Sequence, residues 1–328
     1  MIRVNNIHLS LDYDDKSVRK AVAQQLRIEE KSIKSCKIFR RSVDARKKDN
    51  IYFLTTVDAE LNINEDKVCK KCGNAQIARK YEYNQMKFGN APSPIVVGAG
   101  PAGLFAALIL ARSGANPILI ERGRDVDRRT ADVNRFWTSG KLDITSNVQF
   151  GEGGAGTFSD GKLNSGTKDI RQRKVLEEFV SHGAPDEILY NAKPHIGTDM
   201  LKGTIKNIRN EIIELGGRVM FETKLVSMAF SDNKLKSITV ETANGDEIIE
   251  TDNVILAIGH SARDTFEMLY DLKLPIEAKP FSVGARIEHL RQKVDKAQYG
   301  RFAGNKKLGS ANYKLSTHLD NGRGVYTF

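Results

Sequence analysis

One segment constrains the fold of this chain more than any other: Gly98-Ala99-Gly100-Pro101-Ala102-Gly103. The apolar triplet Ile95-Val96-Val97 precedes it, and LFAALILARSGA follows, a helix pattern apolar nearly all round that Gly114 stops. Pro117-Ile118-Leu119-Ile120 is a second apolar run, closed by Glu121. Strand, glycine turn, helix, strand and acid make a βαβ unit. The three glycines act differently. Gly98 makes the tight turn, Gly100 lets backbone approach a pyrophosphate, and Gly103 lets the helix pack closely on the strand. The pyrophosphate would rest on the helix N-terminus, where free N–H groups and the helix dipole favour negative charge. Glu121, 18 residues after Gly103, stands where a carboxylate accepts hydrogen bonds from ribose hydroxyls. An acid there disfavours a 2′-phosphate, so the spacing points to FAD or NAD rather than NADP.

A second glycine-rich stretch, VQFGEGGAGTFSDGKL at 148–163, offers backbone N–H groups without side-chain bulk, with Gly166 just beyond it. Gly153, Gly154, Ala155, Gly156, Thr157, Ser159 and Asp160 are therefore candidate cofactor contacts, the alternative being a surface loop. Further on, Leu201, Ile205, Ile208, Ile212 and Leu215 form one face of a helix ended by Gly216-Gly217. Val219, Phe221, Thr223 and Leu225 alternate as a strand, and two more strand patterns are separated by Ser231-Asp-Asn-Lys234 and by Asn244-Gly245, a hairpin signal. Val254-Ile-Leu-Ala257-Ile-Gly259 is a buried strand ending in glycine, and ligands collect at such tips in a doubly wound sheet.

Upstream, Ile2, Val4, Ile7 and Leu9, then Val18, Val22 and Leu26, then IYFLTTV at 51–57 read as strand, helix and strand of a small α/β domain. Residues 60–93 are polar and end in a Gly/Pro-rich linker. We divide the chain into 1–90, a small basic α/β domain with linker; 91–278, a nucleotide-binding domain; and 279–328, the beginning of a further domain. A length of 328 residues with 40% hydrophobic and 28% charged residues fits two or three such units and excludes disordered, collagen-like and coiled-coil classes. The net charge of +10 is uneven, with +7 carried by residues 1–92, so any polyanion surface is expected near the N-terminus.

The sequence resembles the two-dinucleotide-binding-domain flavoproteins through Gly98 to Gly103, Glu121 and VILAIGHSA at 254–262. More closely, it resembles a bacterial family of poorly characterised FAD-dependent dehydrogenases. Arg40 to Lys48, GGAGTFSDGKL at 153–163, KPHIGT at 193–198 and KPFSVGARIEH at 279–289 carry that resemblance. It implies an α/β architecture in which a small N-terminal α/β domain precedes a Rossmann-like FAD/NAD(P)-binding domain with a β-meander, followed by the start of a substrate domain. It also implies FAD as cofactor, the adenosine ribose on Glu121 with Arg122 beside it, pyrophosphate over Gly100 to Gly103, adenine near Leu225, and the flavin ring toward 153–161, with Ala257 and Gly259 at the later strand tip. Family members continue past the strand pattern at 323–328 to a late Gly-Asp segment that touches the flavin, so the chain is expected to be an N-terminal fragment with weakened FAD binding.

The expected function is an FAD-dependent oxidoreductase of dehydrogenase type acting on an unidentified small molecule, with NAD(P)H or another electron donor as partner. No side chain emerges as catalytic. Imidazole as a side-chain type changes charge near neutral pH, which makes His195 and His260 the candidates to weigh, yet the sequence fixes no partner for either, and Ser-Asp160-Gly is also an ordinary turn. Cys69-Lys-Lys-Cys72 lacks the helix N-terminus of a redox pair and the further ligands of a zinc site, so no metal is expected; zinc would need Cys36 and a histidine such as His8. Three cysteines suit a reducing compartment, and the N-terminus has no secretory pattern, so the cytoplasm is expected. The uncharged stretch from Pro94 to Ala111 is about the minimum length of a membrane span, but its regular glycines argue for the nucleotide turn. The basic run Arg40, Arg41, Arg46, Lys47 and Lys48 raises a rival reading, a nucleic-acid-binding or interaction module fused to a flavoprotein. Asp44 and Asp49 interrupt it, and a solvated or ion-paired face ranks above that reading.

Overall fold

The structure is a computed structural model, and it describes residues 1–79, 81–89, 92–159, 161–163, 167 and 169–327. Two compact units emerge: residues 1–80 with 189–192 and 280–328, and residues 81–188 with 193–279.

In the first unit, β1 (Ile2–Leu9), α1 (Asp15–Leu26), β2 (Ile33–Asp44), β3 (Tyr52–Leu61), α2 (Glu65–Lys71) and β4 (Ala75–Ile77) build an antiparallel sheet of order β2-β3-β1-β4. Period-2 patterning sends Ile2, Val4, Ile7 and Leu9 to one face, where they meet Val18, Val22, Ala23 and Leu26 of α1. A bulge at Asn5-Asn6, with Asn6 at φ 58°, keeps that alternation in phase on both sides of it. Asp14 caps α1 by accepting from the Ser17 N–H at 2.8 Å, and Arg27 ends the helix in the left-handed region. Val22 is fully buried, and its burial contributes about 2 kcal/mol; Val22→Asp would bury a charge without a partner and break the docking of α1.

The second unit begins its own sheet with β5 (Ile95–Val97), followed by α3 (Pro101–Arg112), β6 (Ile118–Ile120), α4 (Val126–Ser139), α5 (Gln172–Ser181), α6 (Thr198–Glu214) and β7 (Arg218–Met220). The meander β8 (Lys224–Ser231), β9 (Lys234–Thr242) and β10 (Gly245–Glu250) comes next, then β11 (Val254–Leu256) and α7 (Arg263–Asp271). The parallel sheet has the order β11-β5-β6-β7. Val96 and Leu119 face a core shared with α3 and α6, whereas Ile95, Val97, Ile118 and Ile120 face one shared with the meander and α7. The central strands β5 and β6 are thus covered on both faces, which is why they read as unbroken apolar triplets, whereas β11, read from the sequence as a buried strand, lies at the sheet edge with Ile255 and Leu256 exposed.

One sequence expectation changes here. The alternation from Val219 to Leu225 predicts one strand, but Glu222 at φ 51° breaks it into β7 and β8, and the chain switches sheets between them. Amides at the break are still satisfied: Glu222 donates to the Gly123 carbonyl and Thr223 to that of Glu121. The hairpin signalled by Asn244-Gly245 forms, with Thr242 of β9 paired to Gly245 of β10, and a second tight hairpin turns on Asp232-Asn233, with φ of 52° and 59°. At the former, only Gly245 has positive φ, at 108°.

After the second unit come α8 (Arg291–Tyr299) and a hairpin of β12 (Leu315–His318) and β13 (Gly324–Thr327). Tyr299 and Leu308 enter the hydrophobic core of the first unit, so residues 280–328 share that core, where the sequence reading has a separate third piece from residue 279. Among the described residues no helix is long and apolar enough to cross a membrane.

Candidate functional site

A cavity of about 470 Å³ opens in the second unit at the carboxyl ends of β5, β6 and β11. That volume falls in the range of roughly 300–1,000 Å³ typical of small-molecule sites, and its position is where parallel sheets bind ligands. Its floor is the turn after β5. Gly98 stands at φ +101°, and a Cβ there would lie 2.5 Å from the Ala257 carbonyl oxygen. A Cβ on Gly103 would lie 1.7 Å from the Gly98 carbonyl, so Gly103 serves helix packing and does not line the cavity. Gly100 is the N-cap of α3 and supplies no side-chain cap. Pro101 opens α3 and has no N–H, and Leu104 donates to the Gly100 carbonyl, so the first-turn amides left without a helix partner are those of Ala102 and Gly103, and Ala102 lines the cavity.

Glu121 ends β6 and is 6% exposed. One carboxylate oxygen accepts from the Ala99 N–H at 2.8 Å; the other accepts from Gly123 at 2.9 Å and Gly151 at 3.2 Å. A carboxylate has about four acceptor positions, so capacity remains for a ligand hydroxyl. Glu121 also ties three turns together, a role the sequence does not announce. Beside it, Arg122 binds Asp264 at 3.0 and 3.2 Å and Thr265 at 2.9 Å, pinning the start of α7, while Lys224 reaches Asp264 at 2.8 Å. Despite burial, these two cations hold the Asp264 carboxyl well below the usual carboxylate range.

The glycine-rich loop divides. Gly154 and Ala155 line the cavity, and Gly154 lies against Pro101 and Gly100. Gly153 packs on Thr157 and Ile205, with its amide donating to Ala99. Gly156, Thr157 and Ser159 do not line the cavity. Thr157 is buried beneath the loop, and the Ser159 hydroxyl donates to the Gly156 carbonyl. The candidates Asp160 and Gly166 lie outside the described residues. Leu225, Ala257 and Gly259 line the cavity as well. The exposed His260 is at the cavity, next to Ser261, whose hydroxyl donates to Gln149 at 2.8 Å. His195 is exposed on a bridge to Lys162 and is not among the lining residues.

Sequence reasoning missed what holds this loop. Arg129 of α4 is 0% exposed, and its guanidinium donates to the carbonyls of Asn147, Val148, Gly151 and Glu152 at 2.6–3.3 Å. Burial lowers its pKa to about 10, with the charges of Glu121 and Glu152 opposing. Glu152, also 0% exposed, accepts from the Val126 amide at 2.7 Å and from Arg209 at 2.9 Å, and burial pushes its carboxyl up. Its other oxygen finds no partner among the described residues. Helical phase could have flagged Arg129: it shares the inward face of α4 with Val126 and Val133.

Cys36, Cys69 and Cys72 are free thiols, with Cys69 in the last turn of α2, and no group of three metal-ligating side chains occurs among the described residues.

Three family models match: an FAD binding domain over residues 93–132, the C-terminal-domain-like part of FAD-dependent proteins over 280–328, and a domain of unknown function over 1–60. The first coincides with the glycine turn, α3 and Glu121. An uncharacterised protein of Clostridium beijerinckii is 45% identical over 333 residues, covering all of this chain, which spans 62% of that relative's length. Similar solved structures include THI4 of Thermovibrio ammonificans (15% identity, 56% of this chain and 64% of that one, TM-score 0.37). Another is a 3-ketosteroid-Δ4-(5α)-dehydrogenase of Rhodococcus jostii (15% identity, 51% and 48%, TM-score 0.31). The FAD-binding-domain match lies within the second unit, over the turn and helix that floor the cavity. FAD is the cofactor its residues fit, through the uncapped N-terminus of α3 and the close turn at Gly98 and Gly103, where a Cβ would strike backbone.

Proposed function

We propose that the chain is the FAD-holding part of an oxidoreductase that exchanges a hydride or electrons with a small-molecule substrate. The uncapped α3 N-terminus facing a cavity rimmed by Glu121 carries this reading. Bound FAD supplies hydride or electron transfer at its flavin ring, and the protein supplies position and electrostatics. The amides that open α3 receive the pyrophosphate, and Glu121 accepts from ribose hydroxyls with the acceptor positions its backbone partners leave. Leu225 gives the adenine an apolar wall. Gly154 and Ala155 close the cavity over α3, held from behind by Arg129. The electron donor in this reading is NAD(P)H or another small carrier, and the compartment is the cytoplasm.

The test is an absorbance spectrum of the purified protein after incubation with FAD and removal of the excess, with Glu121→Ala alongside. Flavin bands in the wild type that diminish in the variant are expected. A wild type that retains no flavin, or a variant that retains as much, overturns the assignment of this cavity. Turnover is then sought by adding NADH or NADPH with dichlorophenolindophenol as acceptor; bleaching above the flavin-free control supports an oxidoreductase, and its absence counts against one using these donors.

A further inference from the structure

The first unit carries a second site, and none of its residues belongs to the FAD cavity. One face of its four-stranded sheet is covered by α1, with Val68 of α2, Tyr299 and Leu308 in the same core. The other face presents Arg3, Asn5 and His8 of β1, Tyr52, Leu54, Thr56 and Asp58 of β3, and Lys37 and Arg40 of β2, opposite in phase to the core residues, with Asp58 accepting from Arg3 at 2.7 and 2.9 Å. Two features set this face apart from an ordinary solvated sheet. His8 and Tyr52, on the neighbouring central strands, stack with ring centroids 4.4 Å apart and planes 21° from parallel, and His8 is exposed. Phe39, in a bulge of β2, lies under the Arg3 guanidinium at 3.3 Å.

A cavity of about 470 Å³ adjoins the stacked pair, with Ser10, Asp12, Asn50, Phe302 and Asn305 among its lining. Two segments distant in sequence meet at it. Residues 46–50 bring Arg46, Lys47 and Lys48, and residues 301–307 bring Arg301, Lys306 and Lys307. Arg301 donates to the Asp49 carbonyl at 2.7 Å, fastening one segment to the other. Asp44 neutralises Arg46, while Lys47, Lys48, Lys306 and Lys307 are exposed in the two segments that supply the lining residues Asn50 and Asn305. Planar rings beside polar edge-reading groups, flanked by cations, match the chemistry of an unpaired base and its phosphates. The strand order, with planar side chains on the two central strands of an otherwise open sheet, is the arrangement on which single strands stack.

We propose that the open face of the first unit binds single-stranded nucleic acid, stacking one base on the His8–Tyr52 pair and drawing the adjoining phosphates to Lys47, Lys48, Lys306 and Lys307. A duplex hides its base faces and is excluded from the stack; the sheet surface running on past the cavity to Lys37 and Arg40 gives room for more than one nucleotide.

The test is fluorescence anisotropy of a labelled twelve-nucleotide uridine oligomer titrated with the whole protein at several salt concentrations. Binding that weakens with salt is expected. His8→Ala, an exposed position, is expected to weaken it about fivefold or more, and Lys48→Ala to reduce the salt slope by about 1. Tyr52→Phe keeps the ring and is expected to bind like the wild type. No anisotropy change at low salt overturns the proposal, as does an unchanged affinity in His8→Ala, which would mean charge attraction alone. Uridine monophosphate displacing the oligomer at equal concentration would make this a nucleotide pocket and overturn the single-strand assignment. Lys234→Glu, at an exposed turn of the second unit, is expected to change nothing; a loss there as large as in Lys48→Ala also overturns it.

Discussion

The two ends of α3 are built in opposite ways. At the N-terminus, Gly100 provides no cap, and the opening amides face a cavity. At the C-terminus, Arg112 binds Glu178 of α5 at 2.6 Å and Glu211 of α6 at 2.5 and 2.9 Å, and Lys174 reaches Glu178 at 2.5 Å. His182 completes that cluster, with Nδ1 2.6 Å from the Glu178 carbonyl and Nε2 2.7 Å from the Glu211 carboxylate. One end is left for a ligand to complete; the other is completed by the chain itself. A helix can therefore be anchored firmly at the end where nothing binds while its binding end keeps free donors.

This contrast can be broken at either end, and the largest effect is expected at the cradle. Gly103→Ala drives a methyl into the Gly98 carbonyl, and we expect a loss of about 3 kcal/mol in urea unfolding, with flavin retention lost as well. Arg112→Met strikes the other end. It leaves Glu178, 3% exposed, without its main partner and costs about 3 kcal/mol. Flavin affinity of the molecules that remain folded should be unchanged; a weakened affinity would show that the two ends are not independent.

Acid sharpens the comparison. For Glu178, burial raises the pKa, yet Arg112 and Lys174 outweigh it, and the carboxyl lies below its ordinary 4.5. For Glu211 the hydrogen bond from Arg112 is the leading cause of the same direction. Both depressed values stabilise the fold above pH 4.5, and that stability is lost as the pH falls through them. Glu152, pushed up by burial, runs the other way: protonating it relieves a cost as pH falls toward its unfolded value. Unfolding followed from pH 7 to pH 3 should show a steep loss at the acid end, shallower in Arg112→Met. An identical slope in the variant would remove the cluster from the account. The smallest expected effect is Lys174→Met, about 0.5 kcal/mol, because the cation is part exposed and Arg112 still holds Glu178.

The cradle is legible in the sequence because its demands fall on the backbone: a left-handed φ at Gly98 and a carbonyl against Gly103 leave only glycine, so the requirement is written as a residue type. Glu121 is legible by its distance from that turn. Arg129 is not, because Arg128 and Arg129 are adjacent and chemically identical. Only the helical phase separates Arg128, on the surface against Asp125 and Glu222, from Arg129, fully buried. The cluster around Arg112 is illegible for a different reason, since Glu178, His182 and Glu211 come from α5, α6 and the turn between them, and only the packed helices bring them to one point. The sheet switch at Glu222 was hidden by an alternation that runs straight through it.

The divided first unit has a consequence for how the protein is made. Its four strands are complete by Ile77, yet Tyr299 and Leu308 belong to the same core. A ribosome working from the N-terminus releases those strands about 200 residues before the side chains that finish covering them. At roughly 5–20 residues per second, the gap lasts on the order of ten seconds or more. During it the first unit lacks those two core side chains while the second, whose residues lie between, is synthesised. Order of synthesis therefore favours the second unit folding first, with the N-terminal unit closing last.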